Sequence, residues 1–316
     1  MRKYFTEFGL NVSTAFKTIV PVEHLEKVKD NHKYHIYFIL SCEKIFIDSS
    51  SIFKLEEYIG LKLYKISGGE KAYFPDAKLA FPNSINHSKI KIQCKYPYTI
   101  LHLEMENGEV LPIDAQVILN SQNVCQPWIF NVLYIGQSYG KDGNRLAQDR
   151  LKSHSTLQKV LADFNYKYPD KRIYIFLLEI NPILNTTMDG ISKTYSTDEV
   201  EEQLHFDNIF ENPLKMNQIV NITEAALINY FKPGYNINFI DNFPNNNHKG
   251  YSQYFNLDYN SLTVELDLEF EYPYPNIQFH TESNCIKSSW DFIEYELYND
   301  TNRASMYEMF RGKVSE

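Results

Sequence analysis

The stretch from residue 128 to residue 164 constrains the fold of this chain more than any other. Trp128 to Ile135 is rich in aromatic and β-branched residues, which favours a buried strand. Gly136 ends that strand, and the run from Ser138 to Asn144 has the glycine and asparagine content of a turn. From Asn144 to Phe164 the apolar residues recur at helical spacing. The sequence therefore predicts a strand, a turn and an amphipathic helix.

Two polar residues of the predicted helix are one turn apart. Arg150 and His154 are separated by four positions, so we expect both side chains on one helical face. That face would lie above the strand that carries Tyr134. A strand that leads into a helix is common in proteins. The unusual feature here is that the strand and the helix would bring the side chains of Tyr134, Arg150 and His154 together.

Three pieces of the chain, in this order, resemble the GIY-YIG nuclease family. Tyr134-Ile135-Gly136 matches the second signature triplet of the family, and Arg150-Leu151-Lys152-Ser153-His154 matches its helix with an arginine and a histidine. The run from Thr223 to Asn236 resembles the closing signature, in which a glutamate, here Glu224, starts an amphipathic helix that ends at a proline and an asparagine. The resemblance covers about residues 111–240.

The resemblance implies an α+β fold with a small three-stranded antiparallel sheet flanked by helices. We expect its strands at Val117–Asn120, Trp128–Ile135 and Lys171–Ile180. The chain departs from the family because no Gly-Ile-Tyr triplet occurs where the first strand is expected, which leaves Tyr98 as a candidate to replace that tyrosine. The interval from Tyr134 to the arginine is also longer than usual, as an insertion between the strand and the helix would explain.

The rest of the chain divides into extensions around this central part. Residues 1–110 are predicted to be a β-rich accessory or specificity region, residues 111–240 the GIY-YIG-like nuclease domain, and residues 241–316 an acidic β/α extension. In the last region, Leu262 to Glu271 alternates apolar and mostly acidic residues, which predicts a half-buried strand with an acidic solvent face.

The resemblance implies a metal-dependent endonuclease that hydrolyses phosphodiester bonds in DNA. Tyr134 would position or deprotonate the attacking water, and His154 would relay the proton. Arg150 would bind a non-bridging phosphate oxygen with two hydrogen bonds. Glu224 would hold one Mg²⁺ or Mn²⁺, whose other positions stay with water and phosphate.

Three more residues complete the predicted site. Lys141 and Lys152 are expected to contact phosphate in the substrate. Asn236 is assigned to substrate binding as well, and by resemblance it would orient the glutamate or the adjacent backbone.

Charge and composition bear on partners and compartment. The net charge is −9, which is unfavourable for an enzyme that binds nucleic acid. Between Gln137 and Arg172, however, basic residues outnumber acidic ones. Local charge matters more than the total, because distant charges are screened by salt. The apolar runs are too short to cross a bilayer, no signal peptide is evident, and the four cysteines form no C-x-x-C pair. These features predict a cytoplasmic protein without a membrane partner.

Two other function classes remain open at this level. A catalytically degenerate GIY-YIG-fold module would bind nucleic acid or protein without cutting, and a structural subunit would act through its acidic C-terminal strand. For the endonuclease, DNA is the expected partner, and the sequence does not separate DNA from RNA. Restriction or anti-phage defence would suit the extended architecture, and a homodimer or a protein partner would use the flanking regions.

Overall fold

The structure is a computed structural model, and it describes residues 1–29, 31–80, 89–122, 127–138, 150–151, 154–188, 195–271, 276–287, 291–300 and 302–308. In chain order the strands are β1 (Thr6–Pro21), β2 (Ile36–Glu43), β3 (Phe46–Lys54), β4 (Tyr58–Ser67), β5 (Glu70–Tyr73), β6 (Ala77–Ala80), β7 (Lys91–Gln93), β8 (Ile100–Glu104), β9 (Val110–Asp114), β10 (Trp128–Gln137), β11 (Lys171–Met188), β12 (Ser261–Glu265), β13 (Ile277–His280), β14 (Cys285–Ile286) and β15 (Phe292–Glu296). The helices are α1 (Ala115–Ser121), α2 (Ser155–Lys167), α3 (Glu199–Glu211), α4 (Met216–Phe231) and α5 (Ser252–Asn256), with a 3-10 helix at Val22–Lys27.

The fold is mixed α+β, as predicted, and the main sheet has eight strands in the order β14-β13-β10-β2-β11-β1-β12-β15. At its centre β2 pairs antiparallel with β10 on one side and with β11 on the other. The predicted strands at 128–135 and 171–180 are therefore confirmed, but they belong to a large sheet and are separated by β2. A small three-stranded antiparallel sheet does occur, formed by β7, β8 and β9 at residues 91–114.

The expected first strand of the site, Val117–Asn120, is wrong. Residues 115–121 form α1, because the Asp114 side chain accepts a hydrogen bond from the Gln116 N–H at the helix start and Ile118 is fully buried on the inner face. The place beside β10 that this strand was expected to fill is taken by β2, from the N-terminal part of the chain.

Hydrophobic cores cover both faces of the main sheet. On one face α4 packs with Phe38 and Phe176 in the largest core, and α4 buries almost every apolar residue it has. On the other face α2 packs with Tyr37, Ile39 and Ile175. The two tyrosine-bearing strands β2 and β10 thus lie between helices, and this arrangement sets the position of the candidate site.

All three predicted sequence regions contribute strands to the eight-stranded sheet. β1 and β2 come from residues 1–110, β10 and β11 from residues 111–240, and β12 to β15 from residues 241–316. Of the predicted acidic strand from Leu262 to Glu271, only residues 262–265 are in a strand, as part of β12. Within the described ranges, no helix has the length and apolar character needed to cross a membrane.

Candidate active site

Two tyrosines from neighbouring strands lie together at the centre of the sheet. Tyr37 on β2 is fully buried, Tyr134 on β10 is partly buried, and their ring centroids are 6.1 Å apart. The two hydroxyl groups are also hydrogen-bonded to each other. Tyr98 lies elsewhere, beside β3, where its carbonyl accepts from the Ile47 N–H at 2.7 Å. Tyr37, and not Tyr98, is therefore the second phenol at the site.

Gly136 leaves the space that the Tyr37 ring occupies. The two residues are direct cross-strand partners in the β2–β10 pair. A Cβ atom at position 136 would lie 2.6 Å from the Tyr37 hydroxyl oxygen and 2.8 Å from Cε1 of Tyr134, closer than a real Cβ comes to its neighbours. Glycine at this position therefore lets the two phenols approach each other across the strand pair.

His154 connects the tyrosine pair to α2. Its Nδ1 accepts a hydrogen bond from the Leu157 N–H at 3.3 Å as the N-cap of α2, and its Nε2 lies 3.1 Å from the Tyr37 hydroxyl. Because Nδ1 accepts, the proton of the neutral ring is assigned to Nε2, which then donates to the Tyr37 oxygen. Burial, followed by the charge of Arg150, lowers the pKa of His154, so the neutral form is favoured.

The predicted shared helical face of Arg150 and His154 is wrong. Arg150 is in a helical conformation, but His154 is in an extended one (φ −83°, ψ 111°) and starts a new helix. The two residues nevertheless reach the same site, since the charge of Arg150 acts on His154 and on both tyrosines.

Hydrogen bonds therefore run in one direction through three side chains. Because the Tyr37 oxygen accepts from His154, the O–H of Tyr37 is left to donate to Tyr134. Tyr134 therefore receives a hydrogen bond and keeps its own O–H for an external acceptor. Burial is the main cause that raises the pKa of both tyrosines, and the nearby Glu224 carboxylate adds to it. Arg150 opposes this increase in both cases.

Glu224 approaches the same end of β10 from α4. It is 9 % exposed, and its Oε1 accepts a hydrogen bond from the Gln137 N–H at 3.0 Å. Burial raises the pKa of Glu224 to about 7, against the opposing charge of Arg150. The expected helix start at this residue is wrong: α4 begins at Met216, and Glu224 lies in its interior.

Asn236 supports the backbone of β10. Its Oδ1 accepts from the Ile135 N–H and its Nδ2 donates to the Ile135 carbonyl, each at 2.9 Å. The next residue back, Tyr235, donates its N–H to the Leu133 carbonyl at 3.1 Å. These bonds agree with the expected role of Asn236 in orienting adjacent backbone, and its role in substrate binding stays a prediction.

Other basic residues were predicted to lie near the site. Lys141 and Lys152 lie outside the described residues. Arg172, from the same basic stretch, forms ion pairs with Glu23 and Asp114, both at 2.7 Å, and so compensates acids of the protein itself. Arg150 is the cation whose charge acts on Tyr37, Tyr134, His154 and Glu224.

The donor set suits a metal ion that keeps most of its own water. Among the residues that the structure describes, no three or more His, Cys, Asp or Glu side chains form a group that could hold a metal. Of the carboxylates in the described part of the chain, Glu224 is the one at the site, in a buried position where a cation would favour its ionised form. A hard divalent ion bound by a single carboxylate, with water and phosphate as its other ligands, fits this arrangement.

The structure therefore brings Tyr134, Arg150, His154 and Glu224 to one end of β10, together with Tyr37, and their roles stay predictions. A signal for Tyr37 exists in the sequence, since Ile36-Tyr37 are the last two letters of the Gly-Ile-Tyr triplet and lie in a run of aromatic and aliphatic residues. Comparisons of the chain with family models, with curated proteins and with solved structures found no match.

Proposed function

We propose that this protein is a metal-dependent endonuclease that hydrolyses phosphodiester bonds in DNA at the cluster around Tyr134. One observation carries the proposal: two hydrogen-bonded phenols, a guanidinium and a buried carboxylate from distant parts of the chain converge at one end of β10. Neither core packing nor charge pairing alone requires this set of groups at one place. The choice of DNA rests on the resemblance of the central part of the chain.

Each side chain has a role that its contacts support. Tyr134 would act as the base in its phenolate form, which the hydrogen bond from Tyr37 would stabilise, and it would become the neutral phenol as it accepts the proton of the attacking water. His154, held neutral, would keep the Tyr37 hydroxyl directed at Tyr134 by donating to its oxygen. Arg150 would bind a non-bridging oxygen, where negative charge grows as water attacks and the sugar oxygen leaves.

A divalent cation, Mg²⁺ or Mn²⁺, is part of the proposal. Glu224 would hold it, and the ion would supply charge neutralisation at the phosphate. The carboxylate is positioned for this by α4 and by the Gln137 N–H.

Nicking of supercoiled plasmid by the purified protein in Mg²⁺ or Mn²⁺ tests the proposal. We expect Tyr134→Phe, Arg150→Ala and Glu224→Gln each to reduce the rate by about 10²-fold or more, since each removes one proton-transfer or charge-stabilising group. Tyr166→Phe is a matched control, because this tyrosine on α2 is 88 % exposed. Nicking that persists unchanged in all three site variants would overturn the assignment, and an RNA substrate in parallel would measure nucleic-acid preference.

A binding module that does not cut is the second candidate, and one observation favours it. The pKa of Tyr134 is raised and not lowered, so very little of this phenol is ionised and able to act as a base at neutral pH unless a further cation approaches it. The same assay separates the two functions. Metal-independent retention of DNA without nicking, unaffected by Glu224→Gln, would support the module.

A further inference from the structure

A cleft of about 480 Å³ lies at the end of β10 opposite the candidate active site. It is bounded by the start of β10, by α1 and by the ends of β2, β4 and β11, where the main sheet meets the smaller sheets. Its volume is in the range of small-molecule sites, which often occur where structural units meet. The roles assigned to the tyrosine cluster use none of the residues in this cleft.

The polar groups of the cleft are cations at the rim and carboxamides inside. Lys65 and Lys171 share one carboxylate, that of Glu43, at 2.5 and 4.0 Å. Gln116 donates to the Asn120 Oδ1 at 2.9 Å, and the buried Asn120 Nδ2 has no hydrogen-bond partner among the described residues. A buried donor without a partner is costly, so its place in the wall of a cleft points to an acceptor supplied from outside.

Apolar groups form the rest of the wall. Phe74, Pro127 and Ile129 line the cleft, and Ile129 is 45 % exposed. A flat apolar surface beside carboxamides and ammonium groups suits a ligand with an aromatic face, a hydrogen-bonding edge and an anionic end. Among common biological ligands, a nucleotide has all three parts.

The cleft and the tyrosine cluster are on the same face of β10. Phe130 and Val132 point into the core with α4, so Ile129 and Asn131 project from the other face, which also carries Tyr134 beyond a bulge in the strand. Five residues of strand separate Ile129 from Tyr134 by about 17 Å. That distance corresponds to about five nucleotide steps of B-form DNA.

We propose that this cleft binds a nucleotide, with its phosphate between Lys65 and Lys171 and its base edge at Asn120 and Gln116. The ligand is either a free mononucleotide or an unpaired nucleotide of a DNA strand that continues to Tyr134. The second source rests on the proposed function, whereas the first does not.

Isothermal titration of the full-length protein with the four deoxynucleoside 5′-monophosphates tests the site. We expect binding to weaken by about tenfold for each lysine lost in Lys65→Ala and Lys171→Ala, because each supplies a charge-assisted contact to phosphate. Glu43→Gln should tighten binding, since it removes the carboxylate that competes with the ligand for both ammonium groups.

The lysine variants should lower the affinity for nucleotide and Glu43→Gln should raise it. These opposite effects distinguish a ligand site from a structural ion pair, because a purely structural role for Glu43 predicts no gain in affinity. The single variants Lys89→Ala and Lys91→Ala are matched controls, because each loses one positive charge outside the cleft. Asn120→Leu should weaken mononucleotide binding while leaving the affinity for inorganic phosphate unchanged.

A short single-stranded oligonucleotide, titrated into the Glu224→Gln variant so that it is not cut, separates the two sources. Tighter binding than the mononucleotide assigns the ligand to a nucleic-acid strand, and equal binding assigns it to a free nucleotide. Absence of nucleotide binding, unchanged affinity in both lysine variants, or inorganic phosphate binding as tightly as the nucleotides would overturn the proposal. Because mononucleotide binding needs no cleavage, its failure is distinct from a failure of the nuclease assay.

Discussion

Replacement of Glu224 by glutamine should stabilise this protein at neutral and alkaline pH. Burial raises the pKa of Glu224 from 4.5 to about 7. The folded protein therefore binds this proton more tightly than the unfolded chain does. The contribution of Glu224 to the free energy of unfolding is thus largest below pH 4.5 and decreases as the pH rises to 7. A tenfold change in proton affinity corresponds to about 1.4 kcal/mol. The free energy of unfolding is therefore about 3 kcal/mol lower at a pH above 7 than at a pH below 4.5.

Glutamine reproduces the neutral acid and still accepts the Gln137 N–H through its amide oxygen. We expect Glu224→Gln and the wild type to be equally stable at pH 4, and the variant to be about 3 kcal/mol more stable at pH 8. Urea unfolding at a series of pH values measures the difference. Glu199→Gln, which removes an exposed acid from α3, is the control for loss of charge alone.

The same reasoning predicts a linked effect of cations. Mg²⁺ at about 100 times its Kd should stabilise the wild type by about 3 kcal/mol at pH 8 and should have little effect on Glu224→Gln. Parallel pH profiles for the two proteins, or a variant that is less stable at pH 8, would refute the assignment of a destabilising, buried carboxylate to this site.

Three further substitutions test the surroundings of the site. Gly136→Ala should slow nicking by about tenfold or more, because the new Cβ displaces Tyr37. Gly234→Ala is the control and should leave the rate unchanged, because its Cβ would meet no atom within 4 Å. Asn236→Ala should lower the free energy of unfolding by about 2 kcal/mol in urea, since two hydrogen bonds to Ile135 are lost, and an unchanged midpoint would contradict that role. Tyr37→Phe should reduce nicking while circular dichroism and urea midpoint change little, and full activity would remove its hydroxyl from the mechanism.

Local sequence pattern was enough to predict the elements that carry their own signals. The apolar run of β11 and the aromatic run of β10 are strands as expected. The Asn107-Gly108 turn joins β8 to β9, with Gly108 at φ 81°. In these cases each segment holds the information for its own conformation, through β-branched residues or a glycine with positive φ.

The errors arose where distant parts of the chain determine the outcome. Tyr37 is 117 residues from His154 along the chain, so only the pairing of β2 with β10 brings it to the site. The β-branched residues Val117 and Ile118 favour a strand locally, but the cap at Asp114 and burial of one helical face favour α1.

The start of α4 was misplaced for a related reason. A glutamate that begins a helix is a common pattern, and Thr223 is a residue type that caps helices. However, Ile219, Val220 and Ile222 gain burial against the main sheet, so the helix extends back to Met216 and the glutamate becomes interior. Its raised pKa could not be predicted from the sequence, because it follows from that tertiary burial.

In the proposed mechanism, Tyr134 activates the water that attacks a phosphate, while Arg150 and a cation on Glu224 bind that same phosphate. Anomalous diffraction from crystals of Tyr134→Phe, grown with Mn²⁺ and an uncut oligonucleotide, tests it most directly. We predict a manganese peak at the Glu224 carboxylate and a phosphodiester between that ion and the Arg150 guanidinium. A manganese ion bound elsewhere, or a nucleic-acid backbone that does not approach the end of β10, would contradict the account.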